Sequence, residues 1–166
     1  MFHKILVAVD GSTIGEQAFE RAISLAKTMN AQLMLIHVQA PFESTYPNPV
    51  FPFESTYPGA SSQAFELQME AWEAQHHRGT QLLQALSDRA ITTGIDTQSI
   101  QPIGNPGHTI CEYAQTWKAD LIVIGRRGHT GLDELIVGSV SNYVVHHAPC
   151  SVLTVQGMAN RTGELG

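Results

Sequence analysis

The stretch Ile5-Leu6-Val7-Ala8-Val9-Asp10-Gly11-Ser12 runs five apolar residues, mostly branched, into a turn signal of Asp, Gly and Ser. A short unbroken apolar run of this kind reads as a strand covered on both faces, the pattern of a parallel sheet. Beyond the turn, Thr13 and Glu16 stand at the S/T-x-x-E spacing of a capping box. Ala18, Phe19, Ala22, Ile23, Ala26 and Met29 then recur at helical spacing, and residues 32–38 form a second strand-like run. Strand, helix and strand in this order make a βαβ unit.

Further along, residues 62–89 are helical in composition, with Phe65, Met69, Trp72, Leu82, Leu83 and Leu86 available for one face and Gly94 as a stop. Residues 97–103 read as a more polar edge strand. The turn Gly104-Asn105-Pro106-Gly107 leads into a short helix carrying Ile110, Cys111, Ala114 and Trp117. Asp120-Leu121-Ile122-Val123-Ile124 is another buried-type strand, ending at Gly125. After a Gly-rich loop come a helix over Ser139–His147, Pro149 as its close, and a fifth strand over residues 150–155. Alternating strands and helices specify an open α/β sheet with helices on both faces. Ligands of such sheets bind beyond the carboxyl ends of the strands, where the strand order reverses.

Two segments stand apart. Residues 39–61 hold five prolines and a direct repeat, Pro41-Phe42-Glu43-Ser44-Thr45-Tyr46-Pro47 returning as Pro52-Phe53-Glu54-Ser55-Thr56-Tyr57-Pro58. Prolines at that density forbid a regular helix or central strand, so the segment is expected to be a surface insertion. Residues 157–166 lack periodicity and are expected to be a loose tail.

The chain has 166 residues, and one domain over residues 1–156 is expected. Hydrophobic residues make up 43% and charged residues 14%, the balance of a folded globular chain. Nine Lys+Arg against fifteen Asp+Glu leave a net charge of −6, which argues against nucleic-acid binding. A small anion stays open, because local charge and backbone dipoles govern its binding. No apolar run is long enough to span a membrane. The start of the chain enters a strand at once, the pattern of a cytoplasmic protein without a signal peptide. Cys111 and Cys150 read as helix-face and strand-core residues.

The chemistry concentrates in Gly125-Arg126-Arg127-Gly128-His129-Thr130-Gly131-Leu132-Asp133-Glu134-Leu135-Ile136-Val137-Gly138-Ser139-Val140-Ser141, which starts at a strand end and finishes at a helix start. Glycines let the backbone come close to a ligand. Gly138, Ser139 and Val140 would present N–H groups at a helix N-terminus, where the dipole favours phosphate. Ser139 and Ser141 add hydroxyls, and Arg126 and Arg127 add positive charge. Asp10, at the first strand's end, is either a turn residue or a ligand group.

Gly125, Gly128, Gly138 and Ser139, as Gly-x-x-Gly, nine residues, then Gly-Ser, resemble the nucleotide-binding signature of the universal stress protein family. The opening strand and turn, the run Ala119 to Gly125, and the closing Pro149-Cys150-Ser151-Val152-Leu153-Thr154-Val155 are similar to the same family. The resemblance implies a Rossmann-like parallel sheet of order 3-2-1-4-5 and a homodimer pairing through the fifth strand, residues 150–155. It implies bound ATP, ADP or AMP, with adenine against the backbone of Ala8, Val9 and Val38. Asp10 would lie by the ribose or a phosphate-bound Mg²⁺. Ile124, Gly125, Arg127 and Gly128 would line the ribose and phosphates, and Gly138, Ser139, Val140 and Ser141 would cradle the phosphates. The expected role is a cytoplasmic, nucleotide-dependent stress-response regulator with an unidentified protein partner. The alternatives are a scaffold that binds no nucleotide and a slow ATPase.

Other chemistries find no support. There is no P-loop, no G-x-G-x-x-G after the first strand, no G-x-S-x-G and no H-E-x-x-H. His76-His77 and His146-His147 are adjacent pairs, which point apart on a helix, and neither has ligand-spaced partners.

Overall fold

The computed structural model describes residues 1–42, 58–126 and 138–157. Arg127, Gly128, His129, most of the duplicated insertion and nearly all of the tail lie outside the described residues. The elements run β1 (Lys4–Ala8), α1 (Thr13–Met29), β2 (Gln32–Ile36), α2 (Pro58–Thr92), β3 (Thr97–Ile100), α3 (Pro106–Trp117), β4 (Leu121–Arg126), α4 (Ser139–His147) and β5 (Ser151–Gln156). All pairings are parallel, in the order β3-β2-β1-β4-β5. This is the Rossmann-like open sheet that the sequence led us to expect.

Strand β1 is central because its residues serve two cores at once. Ile5, Val7 and Val9 pack on one face with Phe19, Ala22, Leu83 and Leu86 from α1 and α2. Leu6 turns to the other face, with Ile110 and Ala114 of α3 and Val144 of α4. Right-handed crossovers produce this division: the chain moves outward from β1 to β3 over one face, then returns to β4 and β5 over the other. β1 therefore has β2 on one side and β4 on the other, Ala8 facing both Ile36 and Ile124. The switch point lies between β1 and β4.

Three local readings are corrected. The N-cap of α1 is Ser12, not Thr13: its hydroxyl accepts the Gly15 N–H at 3.0 Å. Glu16 turns outward instead and pairs, with Glu20, to Arg89 of α2, whose guanidinium lies 4.9 Å from the Phe19 ring centre. The hydrogen bond that Arg89 donates to Glu16 is the largest influence raising the Arg89 pKa above its ordinary value. Second, α2 begins at Pro58, within the stretch read as insertion. Proline suits a first helical turn, where its missing N–H has no partner to lose. Third, β3 ends at Ile100, and Ile103 makes only an isolated bridge to Gln39.

The lower end of the sheet is tied by Asp120, whose carboxylate accepts the backbone N–H of His3 at 2.7 Å and of Lys4 at 2.9 Å. Those two bonds hold its pKa below the usual carboxylate range. Burial raises the thiol pKa of Cys111, and burial followed by the Asp120 charge raises that of Cys150, so both stay protonated.

Ser87 of α2 is buried, and its hydroxyl has no hydrogen-bond partner among the described residues. An unpaired buried hydroxyl opposes folding, and alanine is the better helix former. Ser87→Ala is therefore expected to raise the unfolding free energy by about 1 kcal/mol. Urea denaturation checks this; a loss of stability would show that the hydroxyl is satisfied in solution.

Candidate functional site

A cavity of about 460 Å³ opens at the switch point, within the size range of small-molecule sites. Its walls come from the carboxyl ends of three adjacent strands and the N-termini of three helices. Ala8, Val9 and Asp10 follow β1, Val38 lies two residues past β2, and Ile124 and Gly125 belong to β4. Gly138, Ser139, Val140 and Ser141 form the start of α4. The described residues that the family resemblance assigned to the site thus border one space, whereas Arg126, read as adding positive charge there, is not among the lining residues. Arg127 and Gly128 are outside the described residues.

Sequence reading missed Ser12, Ile14, Gly15, Ile36, Pro106 and Ile110, which complete the lining. Signals for some were present. Ile36 precedes Val38 by one strand period, and Pro106 and Ile110 stand four apart on the first turns of α3. With Val38 and Ile124 they make one end of the cavity apolar. The other end is polar, with Asp10, Ser12 and the α4 N-terminus.

The polar end has specific geometry. Gly138 is the N-cap of α4 and has no side chain to cap it, so among the described residues the first N–H groups of the helix have neither a helical acceptor nor a side-chain cap. The Ser141 hydroxyl, expected as a ligand donor, donates instead to the Gly138 carbonyl at 3.0 Å. What Ser141 leaves available is its backbone N–H. Asp10 does act as a turn residue: its Oδ1 accepts the Ser12 N–H at 3.0 Å and the Ser12 hydroxyl at 2.5 Å. It nonetheless borders the cavity, exposed. Gly15 makes this possible, since a Cβ there would stand 2.6 Å from that Oδ1. A Cβ on Gly125 would stand 2.6 Å from the Ile14 side chain, so glycine permits β4 to end against α1.

The backbone groups around the apolar end are unequal. Val9 donates its N–H to Ile36 at 3.0 Å and accepts at its carbonyl from His37 Nδ1 at 2.8 Å, so both its polar groups are engaged. Neither the N–H nor the C=O of Val38 has a hydrogen-bond partner among the described residues. A donor and an acceptor on one residue therefore remain at the cavity wall. Among the described residues no group of three or more His, Cys, Asp or Glu could hold a metal ion, and no helix is long and apolar enough to cross a membrane.

The chain is similar to known proteins in sequence and in fold. A universal stress protein of Synechocystis is 36% identical over 159 residues, covering 93% of this chain and 98% of its own. The solved universal stress protein UspA of Lactobacillus plantarum superposes with a TM-score of 0.72 at 29% identity, covering 92% of this chain and 97% of that one. A universal stress protein solved in complex with cAMP aligns with a TM-score of 0.63 at 26% identity, covering 93% and 97%. The profile of the universal stress protein family matches residues 1–156. With its parallel 3-2-1-4-5 sheet and this match over nearly its whole length, the chain belongs to the universal stress protein family.

Proposed function

We propose that this protein binds an adenine nucleotide, ATP, ADP or AMP, at the switch-point cavity and acts as a nucleotide-dependent regulator of the stress response. The observation that carries the reading is the convergence of an apolar slot, a free backbone donor–acceptor pair and an uncapped helix N-terminus in one cavity. A purine suits the slot of Ile36, Val38, Pro106, Ile110 and Ile124. The N–H and C=O of Val38 match adenine's ring acceptor and neighbouring amino donor, whereas guanine presents a ring N–H and a carbonyl on that edge. Phosphates suit the N–H groups of Ser139, Val140 and Ser141 at the positive end of the α4 dipole. Asp10 stands where it would meet the ribose or a phosphate-bound Mg²⁺, which would neutralise phosphate charge there. The neighbour solved in complex with cAMP supports an adenine nucleotide as the ligand.

The protein is read as a cytoplasmic homodimer joined along β5. That strand is a sheet edge whose Leu153 is exposed, which supports the reading. The cavity lining offers donors and apolar walls, so binding, with at most slow hydrolysis, is its expected chemistry.

The test uses the purified full chain. It is denatured to identify any released nucleotide by mass, then the stripped protein is titrated calorimetrically with ATP, ADP, AMP and GTP, with and without Mg²⁺. The expected result is adenine-nucleotide binding with a Kd on the order of micromolar. No binding up to millimolar concentration, with no co-purified nucleotide, would overturn the proposal and favour the scaffold reading.

A further inference from the structure

In a parallel pair the ladder advances by two residues at each step. Val9 donates to the Ile36 carbonyl, so the next rung would run from the Val38 N–H to the Val9 carbonyl. That rung is replaced. His37 turns its ring back and Nδ1 meets the Val9 carbonyl at 2.8 Å. A carbonyl only accepts, so Nδ1 carries the proton. The side chain of one β2-end residue thus occupies the acceptor that its neighbour's backbone would use.

The ring has room because α2 is glycine at the facing position. Gly79 is buried in mid-helix, where glycine costs about 1 kcal/mol relative to alanine. A Cβ there would stand 2.5 Å from His37 Cδ2, 2.8 Å from its Nε2 and 2.3 Å from Gln101 Nε2. Gln101 closes the same corner, its amide donating to the His76 carbonyl at 3.0 Å and accepting from the Thr80 hydroxyl at 2.8 Å. Gly79 therefore serves close packing rather than backbone conformation.

We propose that His37 is a positioning residue for base recognition: its bond to the Val9 carbonyl ends the β1–β2 ladder, in the space Gly79 leaves, and frees the Val38 backbone to read a purine edge. The proposal rests on the nucleotide reading above and assigns base selectivity to a side chain that does not itself border the cavity. It also links α2 to the site through one ring.

The test uses His37→Ala, His37→Asn and Gly79→Ala in the full chain, each confirmed folded by circular dichroism. The first readout needs no nucleotide. Exchange of the Val38 amide is expected to slow at least roughly tenfold in His37→Ala, because the restored rung protects it. Unchanged exchange overturns the ladder argument. The second readout is calorimetry with ATP, GTP and inorganic tripolyphosphate. His37→Ala is expected to lose about tenfold in ATP affinity and most of the ATP-over-GTP preference, with tripolyphosphate affinity unchanged. His37→Asn, whose amide N–H can replace Nδ1–H, is expected to keep the preference within roughly threefold. Gly79→Ala should lose it as His37→Ala does. A wild-type ATP-to-GTP ratio in His37→Ala, or equal losses in the Ala and Asn variants, overturns the role of the Val9 bond. Wild-type protein that binds neither nucleotide overturns the nucleotide reading, and the selectivity role falls with it.

Discussion

Gly138→Val is expected to reduce adenine-nucleotide affinity at least about a hundredfold, a loss of roughly 2.7 kcal/mol. Gly138 has φ −49° and ψ 136°, a conformation open to any L-residue, so glycine is not required by the backbone. A close approach explains it better. The N–H groups of the first α4 turn can reach a phosphate only if no branched side chain stands before them. Valine is also a poorer N-cap than glycine, which limits the accompanying stability loss to about 1 kcal/mol. Calorimetry with ATP and a thermal melt separate the two effects. Wild-type affinity in a folded variant would move the phosphates away from α4.

Phe19→Ala is expected to destabilise the protein by about 3–5 kcal/mol. Phe19 is 1% exposed and is the largest fully buried side chain among the described residues. It fills the space between α1 and the strands β1, β2 and β4, with the Arg89 guanidinium over its ring. Alanine would leave a cavity in a layer that cannot collapse, because the sheet beneath it is hydrogen-bonded on both sides. It would also remove the ring beneath Arg89 and loosen the link from α1 to α2. The loss is a large part of the roughly 5–15 kcal/mol that holds a domain folded. Urea denaturation measures it, and a cost below about 1.5 kcal/mol would show that this core repacks freely.

The central strands were legible because they carry their own signal: 5–9 and 121–124 are unbroken apolar runs, as buried parallel strands must be. Strand order was not contained in any such run; it came from the family resemblance, since periodicity says nothing about which strands adjoin. Helix ends were read within a few residues, and the errors have reasons. Ser12 caps α1 where Thr13 offered the better-known spacing, because the Asp10 turn places the Ser12 hydroxyl over the Gly15 N–H. In the site, Gly138 to Ser141 and Ile124 to Gly125 were legible as a strand end and a helix start. Ser12, Ile14 and Gly15 were not, since they reach the cavity only through the packing of α1 against the sheet. The Ser141 bond to Gly138 and the His37 bond to Val9 were invisible for a like reason: a rotamer decides each, and no spacing encodes it.

The pairing of β1 with β4, Ile5 against Leu121, bears on when the site comes into being. Its walls include residues 8–10, 12, 14 and 15 from the start of the chain and residues 124, 125 and 138–141 from near its end, so closing the cavity joins segments far apart in sequence. Such contacts are slow to form, because the loop entropy is lost before the contact is gained. During synthesis the first βαβ unit emerges early, yet it cannot hold a ligand until α4 has followed. A nucleotide bound there, as proposed, would join chain segments that meet late in folding, so its effect would fall on the rate of unfolding and occupancy would prolong the lifetime of the folded protein.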